Sequence, residues 1–166
     1  MSYTIHEYPS LEERADALGL QRPTSISIVP RGFEDASSRD ELYHESSAGD
    51  LVTLFRVEGV DLTKIDYADT KIPEIQENDF TLILPCIVVT ALVTSENPDA
   101  VSVALGIVAN YATSFFKGIT GKPKVRFDVV VEESGRKKTK KIHYEGDPDG
   151  IEALADVVRS TFHEQD

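Results

Sequence analysis

The stretch "KVRFDVVVEESGRKKTKKIHYEG", residues 124–146, decides the fold. From Val125 to Val131, apolar side chains stand at alternate positions, with mostly charged or polar side chains between them. This period of two is typical of a β-strand with one buried face. Ser134-Gly135 follows as a two-residue turn that contains glycine, and a second strand returns from it. The sequence therefore predicts an antiparallel hairpin over residues 124–145.

The returning strand is basic in an acidic chain. Five basic residues fall within positions 136–141, although the chain has a net charge of −12. With the turn placed as above, Asp128 faces Lys141 and Phe127 faces Ile142. Pairs of opposite charge or of apolar side chains contribute about 0.2–1 kcal/mol each, which favours this register. It predicts that carboxylates on the neighbouring strand neutralise much of the basic run.

The cations of the hairpin are the candidate interaction surface of the chain. In the predicted register Arg126, Lys138 and Lys140 have no acidic partner, and Lys137 and Lys141 lie beside them. A nucleic-acid-binding domain usually offers a broader basic face with aromatic side chains on it. The run thus indicates a solvated hairpin or a surface for a protein partner, and nucleic-acid binding is the less favoured alternative.

A helix is predicted over residues 98–117, before the hairpin. Asn97 is a suitable N-cap, Pro98 suits the first helical position and Gly118 lies just beyond the end. One face is a continuous apolar stripe, and a second face carries small residues at about four-residue spacing. The small residues are Ser102, Gly106, Ala109 or Asn110, and Thr113. A helix that is apolar or small on most sides is a central or interface helix.

The other elements are predicted from caps, stripes and β-branched runs. They are helices over 9–20 and 149–162, the latter capped by Asp147 or Asp149; strands over 24–30 and 50–60; at most a short helix within 38–46; and a surface connection over 61–79. The apolar run 80–95 is rich in Ile, Val and Thr, which favours a buried strand. Pro85 either divides this run or begins a helix, so strand and helix both stay open for it.

Length and composition predict a single domain over residues 1–166. It has an acidic, polar half over 1–80 and an apolar-rich half over 81–166. Cys86 is the only cysteine, which fits a reducing, cytoplasmic location, and the first residues lack the pattern of a secretory signal. The acidity favours solubility and is also typical of proteins from high-salt hosts. Membrane insertion of 80–116 is disfavoured because its first segment is shorter than the ~20 residues that span a bilayer.

No motif for catalysis or cofactor binding stands out. "RDELYHE" (39–45) places Asp40, Glu41 and His44 at the spacing of metal ligands on a helix, but no second cluster completes the set. Cys86 lies in an apolar run, where a buried thiol is unreactive. The sequence therefore predicts no catalytic residue, no metal and no cofactor. A small metal-dependent hydrolase that uses the 40–45 cluster is the alternative.

Two stretches carry a resemblance. "VALGIVANYATSFFKG" (103–118) and "VRFDVVVEESGRKKTKKIHYEGDPDGIEAL" (125–154) resemble the C-terminal part of small uncharacterised prokaryotic proteins. In those proteins a helix with Asn-Tyr near its end leads into a hairpin closing on "YEG" and then a helix. The resemblance covers about residues 98–160, and it implies this order of elements but no activity.

Together these patterns predict an α+β fold. A mostly antiparallel sheet that includes the 124–145 hairpin is packed by the helices over 98–117 and 149–162. The first of these helices offers two faces to bury, and no site for chemistry is evident. We therefore expect a non-enzymatic protein-interaction or assembly module, with a protein partner or a second copy of the chain bound to it.

Overall fold

The computed structural model describes residues 2–67, 69, 71–75, 81–97, 99–118, 123–133 and 138–163. The strands are β1 (Ser2–Tyr8), β2 (Ile26–Val29), β3 (His44–Glu45), β4 (Thr63–Lys64), β5 (Glu74–Ile75), β6 (Thr81–Ile83), β7 (Cys86–Val89), β8 (Lys124–Glu132) and β9 (Thr139–Gly146). The α-helices are α1 (Leu11–Leu18), α2 (Ser47–Val57), α3 (Ala91–Glu96), α4 (Asp99–Phe115) and α5 (Leu154–His163), with short 3-10 helices at Arg39–Glu41 and Pro148–Gly150.

Within the described residues, seven strands form one mixed sheet in the order β1-β9-β8-β7-β2-β4, with β6 also paired to β8. Antiparallel pairing joins β1 to β9, β9 to β8, and β7 to β2, and it involves most of the paired residues. The pairs β7–β8, β6–β8 and β2–β4 are parallel. The predicted α+β fold with a mostly antiparallel sheet is therefore confirmed.

Helices α2, α4 and α5 cover one face of the sheet. Their buried stripes pack on the inward side chains of β7, β8 and β9, including Ile87, Phe127 and Ile142. The opposite face of the central strands is covered by α1 and the chain between residues 29 and 72. Because both faces are covered, the consecutive residues 129–131 of β8 are all buried. Buried side chains at 62, 65, 67 and 72 correct the prediction that 61–79 is only a surface connection.

The hairpin of β8 and β9 is confirmed, but its register is two residues from the predicted one. Asp128 lies opposite His143, where the predicted register placed Lys141. Exposed ion pairs contribute little to stability, so charge matching does not select between registers that bury the same face. A shift by an even number of residues keeps each side chain on its own face. Phe127 and Ile142 are therefore buried as predicted.

The connection between β8 and β9 is longer than the predicted two-residue turn. The N–H of Glu133 donates to the carbonyl of Lys138 at 2.8 Å, which brackets the connection over residues 134–137. The predicted turn at Ser134-Gly135 and the pairs assigned to residues 136 and 137 lie in this connection, outside the described residues.

The predicted strand over 50–60 is wrong, because α2 occupies this region. Ala48, Leu51 and Phe55 are buried at helical spacing against the sheet, whereas Val57 is 75% exposed. The strand prediction rested on assigning alternate side chains to opposite faces, yet helical spacing of the buried side chains determines which face packs on the core. Predicted strand 24–30 and helix 9–20 are present as β2 and α1. Ser10 caps α1 by accepting from the N–H of Glu13, as predicted.

The run 80–95 contains both of the structures left open for it. β6 and β7 are separated by Leu84-Pro85, and α3 follows at Ala91. The helix predicted over 98–117 is present as α4, and Pro98 lies outside the described residues. The helix predicted over 149–162 begins later, since the chain forms a 3-10 helix at Pro148–Gly150 before α5.

Candidate functional site

The β1 edge, residues Ser2–Tyr8, is the outer strand of the sheet. β9 is the strand that pairs with β1 among the described residues, and it does so along all seven positions. Every second residue of an edge strand directs its backbone N–H and C=O away from the sheet. The β1 edge therefore presents a row of backbone donors and acceptors to an incoming strand.

Side chains on the β1 edge are exposed from Ser2 to Glu7. Tyr3 and Ile5 share one face and are 42% and 40% exposed. On the other face, the hydroxyl of Thr4 and Nε2 of His6 are hydrogen-bonded at 2.8 Å. Burying large apolar side chains that are exposed to water is favourable. Contact with another strand would bury Tyr3 and Ile5, so the β1 edge is suited to binding one.

The opposite end of the sheet differs from the β1 edge. There β4 has only two residues, Thr63–Lys64, and one of them is a lysine. Short edge strands and lysines are common protections against unwanted strand pairing. The β1 edge has seven paired residues and contains no lysine or proline. The sheet is thus protected at one end and open at the other.

Sequence reasoning missed β1. The segment "SYTIHEY" alternates Tyr3, Ile5 and Glu7 with smaller polar residues, which is a weak period-two signal. Neither face of the strand is strongly apolar, because the side chains from Ser2 to Glu7 are exposed on both faces. An exposed edge strand is for this reason harder to recognise than a buried one.

Two cations of the predicted basic surface, Arg126 and Lys141, pair with carboxylates. Arg126 lies opposite Glu145 and forms an ion pair with it at 3.4 Å. Lys141 Nζ lies 2.9 Å from Glu34 Oε2, and its side chain is only 22% exposed. Lys138 is exposed and Lys140 is half-buried in β9, while Lys137 lies outside the described residues. Of the described cations of this surface, Arg126 and Lys141 are thus neutralised by neighbouring carboxylates.

His143 bridges two carboxylates on the same face as Lys141. Its Nδ1 lies 2.5 Å from Asp128 Oδ1, and its Nε2 lies 3.2 Å from Glu145 Oε1. Partial burial opposes protonation, but the hydrogen bonds and charges of the two carboxylates outweigh it and raise the pKa of His143. The raised pKa favours the imidazolium form, which forms ion pairs with both carboxylates.

The candidate metal cluster does not assemble. Asp40 and Glu41 lie in the exposed 3-10 helix, whereas His44 lies in β3 and is fully buried. The Nε2 of His44 faces the carbonyl of Ile65 at 3.1 Å and Asp66 Oδ1 at 3.2 Å. Across the part of the chain that the structure describes, no group of three or more His, Cys, Asp or Glu side chains has the arrangement of a metal site.

A small pocket of about 140 Å³ lies beside Lys141 and is lined in part by Tyr8, Cys86 and Asp128. Burial, with a contribution from Asp128, raises the pKa of the Cys86 thiol well above its usual value. Burial lowers the pKa of Lys141, but the hydrogen bond and negative charge of Glu34 outweigh this effect, so the pKa of Lys141 is raised. A protonated thiol and a protonated amine are in the wrong state for nucleophilic or general-base catalysis.

A larger pocket of about 500 Å³ lies between α2, α4 and β6. Tyr111 is in its lining and donates a hydrogen bond to Asp50 Oδ2 at 3.1 Å. Burial and the charge of Asp50 raise the pKa of Tyr111 to about 12. The phenol is therefore a hydrogen-bond donor at neutral pH and does not act as a base.

Comparison with family models, curated proteins and solved structures finds no match to this chain. The resemblance of residues 98–160 to small prokaryotic proteins therefore stays a prediction. In the described residues, no helix has the length and apolar character needed to cross a bilayer.

Proposed function

We propose that this chain is a non-enzymatic protein-interaction and assembly module that accepts a partner strand at the β1 edge. The observation that carries the proposal is the seven-residue outer strand, exposed on both faces and without lysine or proline. Strand addition to such an edge supplies affinity through backbone hydrogen bonds and specificity through alternate side chains. A module of this kind needs no catalytic group.

The two alternative functions have less support. A hydrolase that uses Asp40, Glu41 and His44 would need these side chains to converge, and His44 faces the interior instead. A nucleic-acid module would need open cations, and Arg126 and Lys141 already have carboxylate partners. Binding of phosphates would have to displace these carboxylates on a chain of net charge −12.

The test is the association of the purified chain, measured by light scattering and sedimentation over a range of concentration. Ile5→Lys introduces a charge that protects edges in natural sheets, and we expect it to weaken association at least tenfold. Val57→Lys is the matched control, because Val57 is an exposed apolar residue on α2, on the helical layer. We expect Val57→Lys to associate as the wild type does.

Two outcomes would overturn the proposal. A wild-type chain that stays monomeric up to about 1 mM would show that it does not assemble at any relevant affinity. Association that Val57→Lys abolishes and Ile5→Lys leaves intact would place the interface on the helical layer and remove the β1 edge from it. Circular dichroism of both variants checks that neither substitution unfolds the chain.

A further inference from the structure

We infer that the partner at the β1 edge is the β1 strand of a second copy, paired antiparallel about a two-fold axis at Ile5. The inference rests on the proposed function and adds the identity of the partner and the register. In this arrangement the sheets of two chains join into one continuous sheet through β1 and its symmetry mate. A closed two-fold interface uses the same surface on both copies.

The sequence of β1 is self-complementary in this register. A two-fold axis perpendicular to the sheet pairs residues whose side chains lie on the same face. One residue must therefore lie directly opposite its own copy, next to the axis. With Ile5 at the centre, all seven residues from Ser2 to Tyr8 find a partner, whereas centres at Thr4 or His6 leave residues unpaired. The Ile5 register therefore forms the most backbone hydrogen bonds.

The side chains of this register are also compatible. Ile5 opposes Ile5 of the second copy, and Tyr3 opposes Glu7, which places two Tyr3 rings diagonally beside the isoleucine pair. Diagonal neighbours across a strand pair lie within reach of aromatic side chains. The exposed apolar area of Tyr3 and Ile5 is thus buried mostly against its own symmetry mate.

The charges of this register do not oppose it. On the face of Thr4 and His6, these two residues oppose each other. On the face of Ile5, the charged Glu7 lies opposite the Tyr3 ring and not opposite a second carboxylate. Within its own chain, Glu7 lies beside Lys140 of β9. A second copy therefore fits the edge without placing like charges opposite each other along β1.

Disulfide trapping tests the register. Directly opposed residues have Cβ atoms about 4.5–5.5 Å apart, close enough for a disulfide after a small adjustment. We expect Ile5→Cys to form a covalent dimer under mild oxidation, seen on a non-reducing gel. The wild type, whose only cysteine is the half-buried Cys86 of β7, is the control and should stay monomeric on that gel.

Tyr3→Cys gives a matched negative control on the same face of the strand. In the Ile5 register Tyr3 of one copy lies four residues from Tyr3 of the other, about 13 Å along the strand, so this variant should not cross-link with itself. A mixture of Tyr3→Cys and Glu7→Cys should cross-link, because these positions oppose each other. The mixture also tests the register without changing Ile5.

The outcomes separate this inference from the proposed function. If the chain associates and Ile5→Lys weakens association, but neither Ile5→Cys nor the Tyr3→Cys and Glu7→Cys mixture forms a disulfide, the register is wrong and the interaction edge stands. If Tyr3→Cys cross-links with itself, a different register is present. If the wild type does not associate, the inference and the proposed function both fail.

Discussion

Single residues in this chain take their chemical state from the elements around them. His44 was a candidate metal ligand because its spacing from Asp40 suits a helix, but the chain forms a 3-10 turn and a short strand there. Burial lowers the pKa of His44 in spite of the opposing effect of Asp66, whereas the carboxylates beside His143 raise the pKa of that residue. Sequence spacing predicts neither result, because it contains no information on burial or on cross-strand neighbours.

The state of His44 predicts a stability that depends on pH. Its folded pKa lies below the unfolded value of about 6.5, so the unfolded chain binds more protons as the pH falls from that value. The contribution of neutral His44 is thus complete above about pH 6.5 and is lost as the pH falls through the folded pKa. We expect His44→Gln to be less stable than the wild type at pH 8 and to lose less of its stability between pH 8 and pH 5. Urea unfolding at both values measures this.

The same measurement on His143→Gln provides the control. Because the pKa of His143 is raised, its contribution is complete below about pH 6.5 and is lost as the pH rises through its folded pKa. The two variants should therefore change the pH dependence in opposite directions. Identical pH dependence in His44→Gln and the wild type would show that His44 is not held neutral by the fold.

At the level of elements, the periodicity of apolar residues predicts buried helices and strands better than exposed ones. The α4 helix and the β8–β9 hairpin were predicted because covering layers impose strong patterns on them. In the α2 segment, assigning alternate side chains to opposite faces predicts a strand, although the buried residues follow a helical stripe. The hairpin register depends on packing beneath the helices and on loop length. Neither can be predicted from the alternation of side chains in one strand.

The small-residue face of α4 can be tested at Gly106. Among the described residues, no heavy atom outside the local helix backbone lies within 4 Å of the position that a Cβ at Gly106 would take, so no described segment packs closely against it. We expect Gly106→Ala to stabilise the chain by about 0.5–1 kcal/mol, because alanine is the better helix former. Urea unfolding measures the change, and association should be unaffected if the β1 edge is the interface.

Gly150→Ala is the matched comparison. A Cβ at Gly150 would overlap the hydroxyl of Tyr144, whose ring is buried and cannot move away. We expect a loss of about 1–3 kcal/mol in the free energy of unfolding, as for other overpacking substitutions.

Weaker association of Gly106→Ala would contradict the β1 interface, since it would show that a second copy packs on α4.

On the scale of the whole molecule, the acidic surface and the open sheet edge have opposite effects on the association of two copies. The net charge of −12 makes two copies repel, whereas the β1 edge provides backbone hydrogen bonds and apolar burial to a second copy. The acidity was evident from composition, but the edge was not, because it is a property of strand order. Only the order β1-β9-β8 shows that β1 is the strand left on the outside.

This opposition predicts how association depends on salt. Repulsion between like-charged copies acts over about 10 Å at 0.1 M salt and about 3 Å at 1 M, so added sodium chloride removes it and leaves strand pairing intact. We therefore expect the dissociation constant, measured by sedimentation, to fall several-fold between these salt concentrations. Ile5→Lys should remain mostly monomeric at both. Association that weakens with salt would instead indicate attraction between opposite charges, such as the cations of β9 with an acidic surface of the partner, and would contradict a pairing centred on Ile5.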